Sequence, residues 1–213
     1  HDALPICVDA WDLAFQSGSA ESMIFLNGGK GMAAFNTHKT NFADVTYADT
    51  NLAKEGWAYD CPGGQTDSAA LTDWQKTHPV YIIKLNESGT QLRKLQITYV
   101  DAFEFQIAVG DIGSAVPATF TIIKNGKCNF TYFSFTQLAT VSGVEPDKDQ
   151  WDIQITRYNY TFYTQTPPLR YEVNGVLLNP SHTTAYKDSL TDYTAIDLGF
   201  ATGVPLSTLR DAV

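Results

Sequence analysis

The strongest constraint on this chain is a series of short apolar alternations separated by turn residues. Leu95, Ile97 and Tyr99 share one side of an extended Leu92–Val100 segment, and Phe105, Ile107 and Val109 do the same over Glu104–Val109. A period of two places alternate side chains on opposite faces of a strand, so each segment can bury one face and wet the other. Turn signals punctuate the segments at Asn27-Gly28-Gly29, Asn86-Glu87-Ser88-Gly89, Asn125-Gly126 and Asn174-Gly175. Asn-Gly supplies the positive φ angles of a tight hairpin. The pattern therefore predicts hairpins pairing Ser22–Leu26 with Gly31–Phe35, Thr119–Lys124 with Asn129–Phe135, and Leu169–Val173 with Val176–Leu178. Further strands are expected at Trp11–Phe15, Val80–Leu85, Trp151–Tyr163 and Asp197–Phe200. Short helices are expected at Ser68–Trp74 and Ser207–Ala212. Residues 36–78 carry polar and turn-forming side chains and give no clear element.

Strands this short, at this spacing, predict an all-β fold, an antiparallel sandwich or open barrel with few short helices. The chain also echoes itself. Trp11-Asp12-Leu13-Ala14-Phe15 returns as Trp151-Asp152-Ile153-Gln154-Ile155, and each copy is followed by a second strand expected to end at an Asn-Gly pair, Asn27-Gly28 and then Asn174-Gly175. One domain spanning residues 1–213 is expected, with two related halves of about 1–115 and 116–213.

Charge excludes some partners. The net charge is −9 and the basic residues form no run, so the footprint of a nucleic-acid binder or a polybasic lipid contact is missing. No stretch is apolar for long enough to form a spanning helix. The chain opens at His1-Asp2-Ala3 and reads as a mature or trimmed product. Ile6 before Cys7 is a poor lipobox residue, so a lipid anchor, if present, is expected upstream. Cys7, Cys61 and Cys128 allow one disulfide and a free thiol, or three separate thiols. The sequons at Asn86, Asn129 and Asn159 matter only in a eukaryotic secretory route.

Catalytic signatures are missing. His1, His38, His78 and His182 are widely separated and no Cys-x-x-Cys occurs, so no structural zinc is expected. There is no Gly-x-Ser-x-Gly elbow. Glu104, Glu145 and Glu172 read as solvated strand or loop residues rather than a glycosidase pair. Trp11 and Trp151 read first as core residues. The expectation is a non-catalytic binding protein.

A resemblance sharpens this reading. Trp11-Asp12-Leu13-Ala14-Phe15, Leu26-Asn27-Gly28-Gly29, Gly31-Met32-Ala33-Ala34-Phe35, Tyr132-Phe133-Ser134-Phe135, Trp151-Asp152-Ile153 and Arg157-Tyr158 resemble the HmuY-like family of Bacteroidota surface lipoproteins. The likeness covers about half of the chain, and Lys30-Gly31-Met32 departs from the family's usual continuation. It implies an all-β fold, export to the outer-membrane surface and no enzymatic activity. The best-known members deliver haem to an outer-membrane receptor and hold its iron through two axial His or Met side chains. Haem is therefore the candidate cofactor, with His38, His182 and Met32 as candidate ligands; His78 and Met23 are the remaining donors. His38 and His182 each follow their own half's Asn-Gly turn. The alternative is an accessory surface lipoprotein docked on an outer-membrane barrel complex, without haem. A carbohydrate-binding module, suggested by aromatic abundance alone, is the third reading.

Overall fold

Val80–Lys84 is buried at every position, and the sheet around it organises the molecule. In the computed structural model, which describes residues 8–20, 22–54, 56–60, 69–162, 164, 166 and 169–185, the strands form three antiparallel sheets. The strands are β1 Leu13–Gln16, β2 Ile24–Leu26, β3 Ala33–Asn36, β4 Val80–Lys84, β5 Leu92–Val100, β6 Glu104–Gly110, β7 Ala118–Ile123, β8 Phe130–Ser134, β9 Ala139–Val141, β10 Ile153–Phe162 and β11 Leu169–Leu178. Two short helices, α1 Tyr47–Ala53 and α2 Trp74–Thr77, lie between β3 and β4. The fold is all-β, as the alternation predicts.

One sheet runs β3-β4-β5-β6-β7 and a second runs β2-β1-β8-β9. Their facing sides share one core, in which Leu13, Phe15 and Phe133 meet Tyr81, Leu95 and Phe105. This is sandwich packing, with alternate residues of each strand turned inward. Met32 and Trp74 belong to the same core. The second sheet takes β1 and β2 from early in the chain and β8 and β9 from late in it, so the two stretches interleave.

The outer face of the five-stranded sheet is covered by the segment that gave no clear reading in the sequence. Phe42, Val45 and Ala53 pack there on Val80, Ile82 and Ala108. α1 starts at a capping box, with Thr46 Oγ1 accepting from Ala48 N and Asp49 Oδ2 accepting from Thr46 N at 2.8 Å. Lys94 on β5 is fully buried beneath it and donates to the carbonyls of Phe42 at 2.8 Å and Val45 at 3.1 Å. Burial pushes its ammonium below the usual lysine range, and the ring of Phe42 sits 4.3 Å from the charge.

β10 and β11 form the third sheet, a ten-residue ribbon in continuous register from Ile153↔Leu178 to Phe162↔Leu169. Neither strand pairs with any other described strand.

Three turn expectations are corrected. β2 and β3 lie in different sheets, so Asn27-Gly28 opens a corner between layers and not a hairpin. β7 and β8 are likewise split between sheets across Asn125-Gly126. Asn174-Gly175 is no turn at all: it lies within β11, opposite Arg157 and Thr156. The Asn86-Glu87-Ser88-Gly89 turn does join paired strands, β4 and β5. The expected helix at Ser68–Trp74 appears instead at Trp74–Thr77. Asp197–Phe200 and Ser207–Ala212 lie outside the described residues.

Candidate functional site

The repeated Trp-Asp step becomes a structural device used twice. In the first copy, Asn27 closes the β1–β2 pair: its backbone N donates to Asp12 O at 2.9 Å, and its Nδ2 donates to Trp11 O at 2.9 Å. Leu13 pairs with Leu26 directly beside this clasp. Lys30, three residues beyond Asn27, makes an ion pair with Asp12. The carboxylate also accepts from Phe135 N at 2.7 Å, and Asp12 N donates to Phe133 O at 2.8 Å, which ties β8 to the other edge of β1.

The second copy repeats these bonds at the base of the ribbon. Asn179 N donates to Asp152 O at 2.8 Å, and Asn179 Nδ2 donates to Trp151 O at 2.7 Å. Ile153 pairs with Leu178. His182, three residues beyond Asn179, lies 3.2 Å from Asp152 Oδ1. The counterpart of Asn27 is therefore Asn179 and not Asn174. The shared pattern is Trp-Asp-aliphatic, then Leu-Asn, then Lys or His three residues on. Leu26-Asn27 and Leu178-Asn179 carried that signal in the sequence, but the more conspicuous Asn-Gly pair masked it.

Among the described residues, contacts fasten the ribbon to the body at its base, midway and toward its far end. At its base, Asn129 Nδ2 donates to Asn179 Oδ1 at 3.1 Å, and Ser181 Oγ donates to Asn129 Oδ1. Midway, the turn at Gly28–Lys30 packs on β10. A Cβ on Gly28 would come within 3.2 Å of Asn159 N, so glycine permits the approach. Toward the far end, Arg170 donates to Asn159 Oδ1 at 2.6 Å, pairs with Glu87, and stacks 4.1 Å over the ring of Tyr59.

Between these points the ribbon shows apolar side chains to solvent. Ile153 and Ile155 stand on one face, and Phe162, Leu169 and Tyr171 stand on the other; all five are exposed. Phe162 meets Tyr160 and Tyr171 edge to face, at centroid separations of 4.6 and 5.6 Å. Aromatic edge contacts of this kind hold rings in place without hiding them.

The candidate haem ligands fall in unlike settings. His38 is exposed in the loop after β3, in a left-handed backbone conformation (φ 58°) with its N donating to Asn36 Oδ1. His182 is exposed at the ribbon base, against Asp152. Met32 is buried between the two large sheets. Haem iron needs two donors facing each other across one apolar slot, whereas His38 and His182 lie exposed in separate loops and Met32 lies in the core. Among the described residues, no group of His, Cys, Asp and Glu is arranged to hold a metal ion. Cys7 and Cys61 lie outside the described residues; Cys128 is a free, partly buried thiol. Asn129 and Asn159 are buried, so of the three sequons only Asn86 stands near the surface.

The three candidate carboxylates also differ. Glu172 pairs with Arg157 at 2.9 Å, and Glu104 accepts from Gln106 at 2.8 Å. Glu145 departs from the expectation of a solvated side chain. It accepts from Phe130 N at 2.8 Å, and burial pushes its carboxyl up to about 7. Sequence reasoning had no means of seeing this, because the burying groups come from β8 and the turn before it.

No helix among the described residues is long and apolar enough to cross a membrane. No protein-family model, no curated protein and no solved structure matches the chain.

Proposed function

We propose that this chain is a non-catalytic binding protein that serves as an accessory subunit of an outer-membrane complex, with the β10–β11 ribbon as its contact element. One observation carries the reading: exposed Ile153, Ile155, Phe162, Leu169 and Tyr171 all stand on a ribbon that pairs with no other described strand. Exposed apolar groups gathered on one element favour a partner surface, whereas single ones scattered over a surface do not. Among the described residues neither ribbon strand pairs on its outer edge, which adds a means of strand addition. The surface location rests on the resemblance to HmuY-like lipoproteins. Haem transport, the better-known activity of that family, draws less support, because His38, His182 and Met32 sit in unlike settings.

The test uses the full chain in its native membrane. Gentle extraction should recover a stoichiometric partner, and Ile155→Lys together with Tyr171→Lys should lose that partner while the melting temperature stays unchanged. Recovery of a monomer from wild type would overturn the proposal. Haemin titration separates the rival: a Soret band lost on His38→Ala or His182→Ala would restore the haem reading.

A further inference from the structure

We propose that Arg170 is the positioning residue of the ribbon: it grips the sandwich from one face of β10–β11 and so presents the opposite, uncharged aromatic face to the partner. This role rests on the ribbon being the contact element, and it adds which face makes the contact and what fixes it. Strand pairing sorts the side chains. Arg170 lies opposite Thr161 and Glu172 opposite Asn159, which puts Arg157, Asn159, Arg170 and Glu172 on one face. Phe162 lies opposite Leu169 and Tyr160 opposite Tyr171 on the other. Arg157, Arg170 and Glu172 are the charged residues of the two strands, so the aromatic face carries no charge. A surface depleted of charge and rich in aromatic rings matches the centre of a protein interface. The partner it fits is a protein surface that is apolar and uncharged at its own centre.

The grip is made by the shape of Arg170 more than by the charge of Glu87. The Arg170 side chain is 18% exposed and that of Glu87 is 61% exposed. A carboxylate so open to water adds little to a pair. The guanidinium, however, meets three groups at once: it donates to Asn159 Oδ1 at 2.6 Å, pairs with Glu87, and lies 4.1 Å over the ring of Tyr59. A flat fork that bonds along its edge and stacks on its face needs arginine; lysine offers the charge without the plane. Tyr59 is held in turn by Lys84, whose Nζ donates to its hydroxyl at 2.9 Å. Both sides of the grip rest on one tight turn. Gly28 lets β10 approach at Asn159, and Gly31, at φ 69°, leaves room for Glu87, whose Cβ a side chain there would meet at 2.9 Å. The run Asn27-Gly28-Gly29-Lys30-Gly31 is therefore the seat of the ribbon as well as the corner between the sheets. With the Arg170 face seated there, Phe162, Leu169 and Tyr171 are left exposed.

Two readouts on the full chain test this, one without the partner and one with it. In the purified protein, nuclear Overhauser contacts between Gly28 and the Asn159 amide report the seating. Arg170→Lys and Tyr59→Leu should lose them, and Tyr59→Phe, which keeps the ring, should retain them; pairing of β10 with β11 should persist in all three. In capture from native membranes, Arg170→Lys should recover about tenfold less partner than wild type, although it leaves every residue of the aromatic face in place. Phe162→Lys should lose the partner with the Gly28–Asn159 contacts intact. Intact seating in Arg170→Lys, full capture by it, or full capture by Phe162→Lys would each overturn the role given to Arg170 and its opposite face. Should Arg170→Lys fail to fold, Tyr59→Leu, which leaves the ribbon sequence unchanged, decides in its place. Wild type recovered as a monomer would remove the ribbon as contact element, and the aromatic face with it, while the seating contacts would still decide the grip.

Discussion

The two Trp-Asp clasps use the same bonds and meet opposite fates. Asp12 and Asp152 both sit at the start of a strand, both have their carbonyl bound by the Asn that ends the partner strand, and both face a nitrogen-bearing side chain, Lys30 or His182, three residues beyond that Asn. Yet the Asp12 side chain is 1% exposed and that of Asp152 is 79% exposed. The difference lies on the far edge. β1 receives β8 there, and Phe135 N completes the Asp12 carboxylate, whereas β10 pairs only with β11 among the described residues. A local motif sets its own hydrogen bonds; the neighbouring strand sets how much those bonds are worth.

That comparison is open to direct attack. The largest effect is expected at Asp12. Asp12→Ala leaves Lys30 without its buried partner and Phe135 N without its acceptor, a loss of about 3–5 kcal/mol for a broken buried pair. Asp152→Ala removes an exposed pair and should cost at most about 1 kcal/mol. Urea denaturation of both variants checks this, and equal losses would show that burial does not separate the copies. Next come the clasping amides. Asn27→Ala and Asn179→Ala each remove a side-chain bond to a Trp carbonyl, and each should cost roughly 1–3 kcal/mol. Asn179 additionally holds Asn129, so its loss should also weaken protection of the ribbon amides in hydrogen exchange.

A pH effect of intermediate size should follow. Asp60, which accepts from Leu26 N and Ala70 N, is raised from 3.8 to about 6 by burial, and Glu145 from 4.5 to about 7. Both acids bind protons more tightly folded than unfolded, so their contribution to stability is complete below about pH 4 and lost as pH rises through about 7. The melting temperature should fall between pH 5 and pH 8. Asp60→Asn should flatten the lower part of that slope and Glu145→Gln the upper part; an unchanged slope in both would refute the assignment. The smallest effect is expected from Ile155→Thr, whose side chain is 79% exposed. Stability should change by less than about 0.5 kcal/mol, so any loss of partner capture in this variant reports on the contact itself.

The legibility of the chain follows the range of the forces involved. Alternation at Leu95, Ile97, Phe105 and Ile107 was enough to place β5 and β6, because a strand's two faces are written in every second residue; Tyr99, expected on the face of Leu95 and Ile97, is exposed instead because the register shifts after Ile97. Turn chemistry was readable, but its consequence was not. Asn27-Gly28 and Asn125-Gly126 do bend the chain, yet the same bend can return a strand to its neighbour or carry it across the core. Gly175 lies in a strand because Tyr158 packs over it, where a Cβ would meet the ring hydroxyl at 2.6 Å. The capping box at Thr46 and Asp49 was present in the sequence and would have placed α1. The burial of Glu145 and the hub at Asn129 had no local signal.

The amino-acid order alone determined that this chain is β-rich, where most of its strands run, and that Trp-Asp opens two of them, since each of these depends on neighbours within a few residues. The assignment of strands to layers, the union of Asn129 with Asn179, and the contrast between a buried Asp12 and an exposed Asp152 came only with tertiary packing. These are settled by which distant segments exclude water from one another, and no short stretch of sequence contains both sides of such a contact.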